Sequence, residues 1–299
     1  RNSPVNWCPS CETVLANEQV TEGHCWRCGS VPEKRELEQW YFKITDYAQE
    51  LLDDLEKLPG WPERVKQMQA NWIGRSEGAE VDFTLCDADG QPIQGDEGKI
   101  TVFTTRPDTL FGVSFFLLPP ESPLAAELVA GTEHEEAFLE LRAAAEKVSS
   151  VDRQGSEREK HGVFTGRYVI NPVNGRPAPI WVADYVLMDY GTGAVMGVPC
   201  GDQRDFDFAK KYGLEIAPII CEKDDPLYER LKDERELVVT SVDWDHAMEA
   251  EGYLVQSGRF TGMKGGKHSE AVDAIIDWLG EQGLGRKTVR FRLRDWLIS

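Results

Sequence analysis

Two groups of residues in this 299-residue chain are of the right types and spacing to do chemistry. The first is a pair of knuckles, Cys8-Pro9-Ser10-Cys11 and Cys25-Trp26-Arg27-Cys28. Two Cys-x-x-Cys pairs joined by a short loop offer four thiolates to one tetrahedral cation, the arrangement zinc prefers. Four sulfur ligands leave no open coordination position, so this zinc would be structural and the reaction would lie elsewhere. The competing reading, two disulfides, needs an oxidising compartment. The other cysteines (Cys86, Cys200 and Cys221) are scattered and form no framework that supports it. The second group is Thr104-Thr105-Arg106-Pro107-Asp108-Thr109-Leu110, set between the apolar runs Ile100 to Phe103 and Phe111 to Leu118. Pro107 cannot donate to a sheet ladder, so a strand must stop or bulge there. The stretch reads either as a polar turn between core strands or as a small hydroxyl-lined pocket for a polar ligand.

A third stretch carries paired carboxylates. Asp202 suits a helix N-cap, and Asp205 falls one turn on, on the same face. Both could instead only complement the helix dipole. Just before them, Gly191-Thr192-Gly193-Ala194-Val195-Met196-Gly197-Val198-Pro199 follows a strand. Its spacing does not fit the Gly-x-Gly-x-x-Gly dinucleotide fingerprint, and Pro199 halts the helix such a site needs. These glycines let backbone come close to something else.

The length suggests roughly two domains. No run of about 18 apolar residues could span a membrane, and no signal peptide opens the chain. Acidic residues number 52 against 33 basic, a formal charge of −19, which disfavours diffuse binding along a nucleic-acid backbone but still admits a nucleic-acid end into a local site. Cysteine usage points to a reducing, cytoplasmic setting. Both ends, Arg1-Asn2-Ser3 and Ile298-Ser299, read as cut from a longer chain.

Periodicity places the elements that must position these groups. Trp40 to Ile44 reads as a strand. Thr45 then caps a helix carrying Tyr47, Leu51, Leu55 and Leu58, which Pro59-Gly60 ends. A second helix carries Val65 and Met68, and a boundary falls at Trp72 to Gly78. Strands follow at Ala79 to Leu85, Lys99 to Phe103 and Val113 to Leu118, with a hairpin turn at Asp87 to Gly90. Pro123 to Lys147 should be helical, and Ser149 to Lys160 shows no pattern. Val163 to Ile170, Ile180 to Met188 and Glu215 to Cys221 read as strands, with short ones near Leu237 and Leu254. Glu270 to Gln282 is an amphipathic helix, and Thr288 to Trp296 is a strand with one basic face.

These motifs, together with Val5 to Pro9, Val14 to Val20, Trp72 to Gly78, Tyr190 to Pro199 and Arg292 to Trp296, resemble the connective insertion of the bacterial leucyl-tRNA synthetase family. The resemblance runs nearly end to end. It implies a zinc-binding module with a helical connection to a catalytic core over residues 1–75, an editing domain over 76–288 and a return strand over 289–299. It implies an α+β fold: a barrel-like, mostly antiparallel sheet with peripheral helices, plus a small zinc ribbon. The parent would be a class I ligase joining leucine to tRNA(Leu) with ATP, but the His-Ile-Gly-His and Lys-Met-Ser-Lys-Ser signatures of that chemistry do not occur in this sequence. What the resemblance implies here is the editing reaction, hydrolysis of the ester on tRNA(Leu) mischarged with isoleucine, norvaline or a similar residue.

The roles it implies are specific. Thr104, Thr105 and Asp205 are the catalytic set, the threonines beside the scissile carbonyl and water, Asp205 on the substrate ammonium. Arg106, Asp108, Thr109, Tyr190, Met196, Val198 and Asp202 bind substrate. Thr109 is the wall that excludes leucine, Arg106 places the terminal nucleotide, and Tyr190 lies by its adenine. Cys8, Cys11, Cys25 and Cys28 hold zinc, and the editing site itself takes no catalytic cofactor. The partners implied are the tRNA(Leu) 3′ end and the rest of the synthetase chain, in a monomer away from membranes. Position 201 is commonly histidine in this family and is Gly201 here. That leaves room for an alternative, a zinc-anchored module that docks the tRNA end without hydrolysing anything.

Overall fold

A computed structural model describes residues 2–21, 23–93, 98–146, 148, 153, 159–188, 193–232, 245–249 and 251–298. The chain divides into two compact units, Arg1–Ser76 with Val289–Ser299, and Glu77–Thr288.

The first unit begins with a three-stranded antiparallel sheet in the order Thr13–Leu15, Asn2–Cys8, Glu33–Glu38. Its small core is Cys8, Leu15 and Cys25, with Cys11 and Val20 packed against it. An apolar core this small is why four thiol ligands matter to the fold. The helices Ala48–Asp54 and Glu63–Ile73 follow, and Ala48 and Ile73 are buried with Leu293. Gly74 ends the second helix at φ 62°, donating its N–H to Ala70 O at 2.8 Å. A Cβ there would lie 2.6 Å from Arg292 Cβ, so glycine is required twice over. Thr45 is not the helix cap: Lys43 and Tyr47 occupy the cap positions, and the Thr45 hydroxyl donates to Asp295 Oδ1 at 2.8 Å. A hydroxyl that finds a carboxylate distant in sequence gives up its local backbone bond.

The second unit is built on a seven-stranded sheet. Its path runs Val195–Gly197, Phe115–Leu118, Pro177–Ala183, Gly162–Ile170, Arg75–Cys86 and Gly285–Phe291, with Lys99–Thr104 also paired to Arg75–Cys86. Phe115–Leu118 and Pro177–Ala183 run parallel, whereas Gly162–Ile170 is antiparallel to both of its neighbours. The path is open and no barrel closes among the described residues. Val195–Gly197 also comes close to Lys99–Thr104, with no ladder between them among the described residues. The sheet is mixed, with both parallel and antiparallel pairings.

Several elements differ from their sequence pattern for local reasons. Pro123 to Lys147 is two helices, Pro123–Val129 and Glu135–Ala145, separated at Gly131 with φ 71°. Of Glu215 to Cys221 only Ile220–Cys221 is laddered; Pro218 has no N–H, and its carbonyl accepts from Gln256 Nε2 at 2.6 Å. The expected strand near Leu237 and most of Ser149 to Lys160 lie outside the described residues. No helix among the described residues is long and apolar enough to cross a membrane.

Gly78 is fixed by packing. A Cβ there would lie 2.1 Å from Thr104 O, on the facing strand of the ladder that pairs Ala79 with Thr104. Gly78→Ala is expected to lower unfolding stability by about 1–3 kcal/mol. Gly280→Ala, in the Glu270–Glu281 helix with open space around it, should raise it by about 1 kcal/mol. Chemical denaturation of both variants checks the sign, and equal midpoints would contradict the packing argument.

Candidate functional site

The four knuckle sulfurs lie within 4.8 Å of one another. Cys8 Sγ and Cys28 Sγ are 3.4 Å apart, and Cys11 N–H donates to Cys8 Sγ at 3.3 Å. Zinc–sulfur bonds of about 2.3 Å put tetrahedral sulfurs about 3.8 Å apart, so this donor set fits a structural zinc ion without rearrangement of the backbone. Among the described residues this is the only such group of metal-capable side chains.

The threonine-rich stretch does not simply turn. After Lys99–Thr104 it winds into a 3-10 helix, Pro107–Gly112, whose six residues are all buried. Pro107 at the first position supplies the required φ and has no donor to lose. Thr109 donates both its N–H (3.0 Å) and its hydroxyl (2.8 Å) to Arg106 O. Two bonds to one carbonyl fix a side chain that is already stiff at χ1, and so fix where its methyl stands. Asp108, fully buried, accepts from Arg106 Nε at 2.9 Å, from Arg106 Nη2 at 2.9 Å and from Gly266 N–H at 2.9 Å. The fork-to-fork ion pair and one backbone donor satisfy a carboxylate that water cannot reach. Thr104 Oγ1 accepts from Arg106 N–H at 3.0 Å.

The second half of the site comes from Val195–Gly197 and the helix Gln203–Tyr212. Asp202 caps that helix, accepting from Arg204 N–H at 2.9 Å and Asp205 N–H at 3.3 Å, and it also pairs with the Arg204 guanidinium at 2.9 Å. Asp205 is buried on the inner face, beside Phe206, Phe208 and Ala209. Its Oδ1 accepts from Tyr185 OH at 2.8 Å and its Oδ2 from Val198 N–H at 2.9 Å. Burial first, then the charge of Asp202, pushes the Asp205 carboxyl up to about 7, while Val198 N–H and Tyr185 OH pull it back. Each oxygen keeps a free lone pair, so the pair of donors orients the carboxylate without filling it.

The two halves are joined by hydrogen bonds and a shared core. Ser114 N–H donates to Gly197 O at 3.1 Å, and Met196 stands opposite Phe116 in the ladder. Leu110, Phe111, Met196, Val198 and Phe206 belong to one hydrophobic cluster. Burial pushes the Cys200 thiol up to about 12, and Arg106 and Asp108 lie close enough to act on it with opposite signs.

The structure thus brings Arg106, Asp108, Thr109, Met196, Val198, Asp202 and Asp205 into two hydrogen-bonded elements on one core, with Thr104 and Thr105 at the entry of the first. Tyr190 lies outside the described residues. Asp108 and Arg106, expected to bind substrate, hold each other and Gly266. Around Gly201 a Cβ would meet nothing within 4 Å, so its missing side chain opens space. Sequence reading did not single out Tyr185 or Gly266. Both make contacts across the fold, and no local pattern announces either.

Two family models match the chain. One, tRNA synthetases class I (M), covers residues 3–100. The other, Leucyl-tRNA synthetase, editing domain, covers residues 70–280. The chain belongs to the leucyl-tRNA synthetase editing-domain family. It is 52% identical over 302 residues to the leucine–tRNA ligase of Thermotoga maritima, and 50% identical over 301 residues to that of an Arthrobacter strain. In each case all of this chain is covered, but only 33% of the relative, so the chain spans about a third of their length. A crystal structure of LeuRS from Agrobacterium radiobacter K84, in a ternary complex with tRNA and LeuAMS, matches with a TM-score of 0.65 at 36% identity. It covers 100% of this chain and 31% of that one.

The raised Asp205 carboxyl has a consequence for folding. The unfolded chain releases this proton near pH 3.9 and the native chain near 7, so between them the native state binds more protons. Its contribution to stability is full below about pH 4 and is lost as pH rises through 7. Asp205→Asn removes that loss, and the melting temperature of the variant minus that of the parent should grow from pH 4 to pH 8. A gap that stays constant or narrows on that scan would contradict the burial of an ionisable carboxyl here.

Proposed function

We propose that this chain is the editing portion of a leucyl-tRNA synthetase. It hydrolyses the ester that links isoleucine, norvaline or a similar residue to the 3′-terminal adenosine of tRNA(Leu). The observation that carries the reading is Asp205: an oriented, buried carboxylate that accepts from Val198 N–H, on a helix whose Phe206 shares one core with Met196, Val198 and the Leu110 that follows the fixed Thr109. The family match and the LeuRS–tRNA neighbour support it.

A synthetic site discriminates poorly between aliphatic side chains, since one methylene is worth only about 1–3 kcal/mol. A second pocket must then reject the correct product by shape. Thr109, its rotamer held by Arg106 O, is the wall against the γ-branched leucine side chain, with Met196 and Val198 beside it. Asp205 takes the α-ammonium of the bound ester in a charge-assisted contact. The nearby cation also favours the ionised carboxylate, so binding lowers its raised proton affinity. Asp202 holds the helix start that carries Asp205. Thr104 and Thr105 offer hydroxyls to the scissile carbonyl and the attacking water, and Tyr190 stands by the adenine. The reaction rests on positioning, with a free ribose hydroxyl of the substrate assisting the water. Zinc on Cys8, Cys11, Cys25 and Cys28 supports the fold of the first unit. The remainder of the synthetase chain joins leucine to tRNA with ATP, in a cytoplasmic monomer.

Deacylation of isoleucyl-tRNA(Leu) tests this. Asp205→Ala should slow it by about two orders of magnitude or more, because the ester loses its ammonium anchor. Thr109→Ala should begin to hydrolyse leucyl-tRNA(Leu), which the parent spares. Docking without hydrolysis would be recognised by binding of the charged tRNA with no release of amino acid above the spontaneous rate.

A further inference from the structure

One segment beside the site has no role in the mechanism above. From Gly252 to Ser269 the sequence contains no Asp or Glu, although the whole chain carries a charge of −19. Its later part, Gly258 to Ser269, holds Arg259, Lys264, Lys267 and His268, all exposed.

This loop is pinned at both ends to the turn that bears Thr109. At its start, Phe260 is buried against Phe111, ring centroids 6.1 Å apart. Near its end, Gly266 N–H donates to the buried Asp108 carboxylate at 2.9 Å. A Cβ on Gly265 would lie 3.2 Å from Asp108 Oδ2 and 3.0 Å from Ile220 and Leu254, so any side chain there would press on these three neighbours. Gly266 sits at φ 129°, a conformation that side chains avoid. The two glycines are flanked directly by Lys264 and Lys267. The helix that follows, Glu270–Glu281, packs on the same Pro107–Gly112 turn. The Arg106–Asp108 pair is therefore a strut that fixes a cationic loop at the edge of the threonine turn.

We propose that this loop is the phosphate-contacting rim of the site. Lys264 and Lys267, with Arg259 and His268 alongside, engage the backbone phosphates of the last unpaired nucleotides of the tRNA while the terminal ester reaches Thr109 and Asp205. The inference rests on the function proposed above and adds its RNA contact surface. An acidic chain repels a polyanion, so a cationic loop that carries no carboxylate of its own, with Glu251 beside it, is where phosphates can approach. Lys264 pairs with Glu251 at 3.2 Å, but both side chains are about 60% exposed. Such a pair is weak enough for a phosphate to displace. Asp108 is then a positioning residue, acting through Gly266 on the loop.

The test uses the whole chain, Lys264→Gln/Lys267→Gln, and two substrates: mischarged tRNA(Leu) and a phosphate-free isoleucyl-adenosine ester. On tRNA the double variant should raise KM at least threefold, as an estimate of about two lost contacts, with kcat little changed. The slope of log(kcat/KM) against log salt should fall by about 1 to 1.5. On the adenosine ester both proteins should behave alike. An unchanged salt slope, or an equal loss on both substrates, overturns the rim. If the parent chain releases no amino acid from either substrate, the editing reading itself has failed. The rim is then judged by fluorescence anisotropy of a hairpin RNA ending in CCA, where equal affinity of parent and variant overturns it.

Discussion

Two buried carboxylates, Asp108 and Asp205, are the constraint around which the second unit is arranged. A carboxylate out of reach of water must be matched by donors or it will not stay charged. Asp108 solves this with the Arg106 fork and the Gly266 amide, and stays a structural strut. Among the described residues Asp205 accepts from one tyrosine hydroxyl and one backbone amide, with Asp202 pushing against its charge and Arg204 favouring it. The first is saturated. The second keeps lone pairs free, and the substrate role proposed for Asp205 rests on that difference.

The surrounding fold serves these two demands. Gly78 lets its strand come close to Thr104, and Gly265 lies close to Asp108 in the distant Gly258 to Ser269 loop. The helix bearing Asp205 presents its carboxylate inward because Phe206, Phe208 and Ala209 hold that face in the core, where Phe208 packs at tilted and edge-on angles against Phe115, Trp181, Tyr185 and Tyr212. Tyr185 belongs to that aromatic cluster and to the carboxylate at once. Packing and orientation of the site are thus one set of contacts.

Much of this was legible in sequence. The Cys-x-x-Cys pairs, the proline that ends a strand after Thr104 and Thr105, the Asp202 cap and the amphipathic helix from Glu270 are short-range patterns with short-range causes. The sheet was less legible. The parallel pairing of Phe115–Leu118 with Pro177–Ala183 and the open path depend on which distant strands meet, and alternation of residues within a strand is the same for either direction. Glu215 to Cys221 is a largely apolar run that reads as a buried strand, yet Pro218 breaks its ladder, and the helix from Pro123 was divided by a glycine at positive φ.

The sequence by itself determined which residues are available for chemistry and where most of the elements that carry them begin and end, because caps, breakers and periodicity act within a few residues. It also carried the family resemblance. Only the tertiary structure decided that Arg106 and Asp108 hold each other and a loop beginning some 150 residues later, that Tyr185 orients Asp205, and that Gly201 faces open space. Those facts turn on burial, and the need of a buried charge for partners is met by whichever groups the fold brings near, however distant they are along the chain.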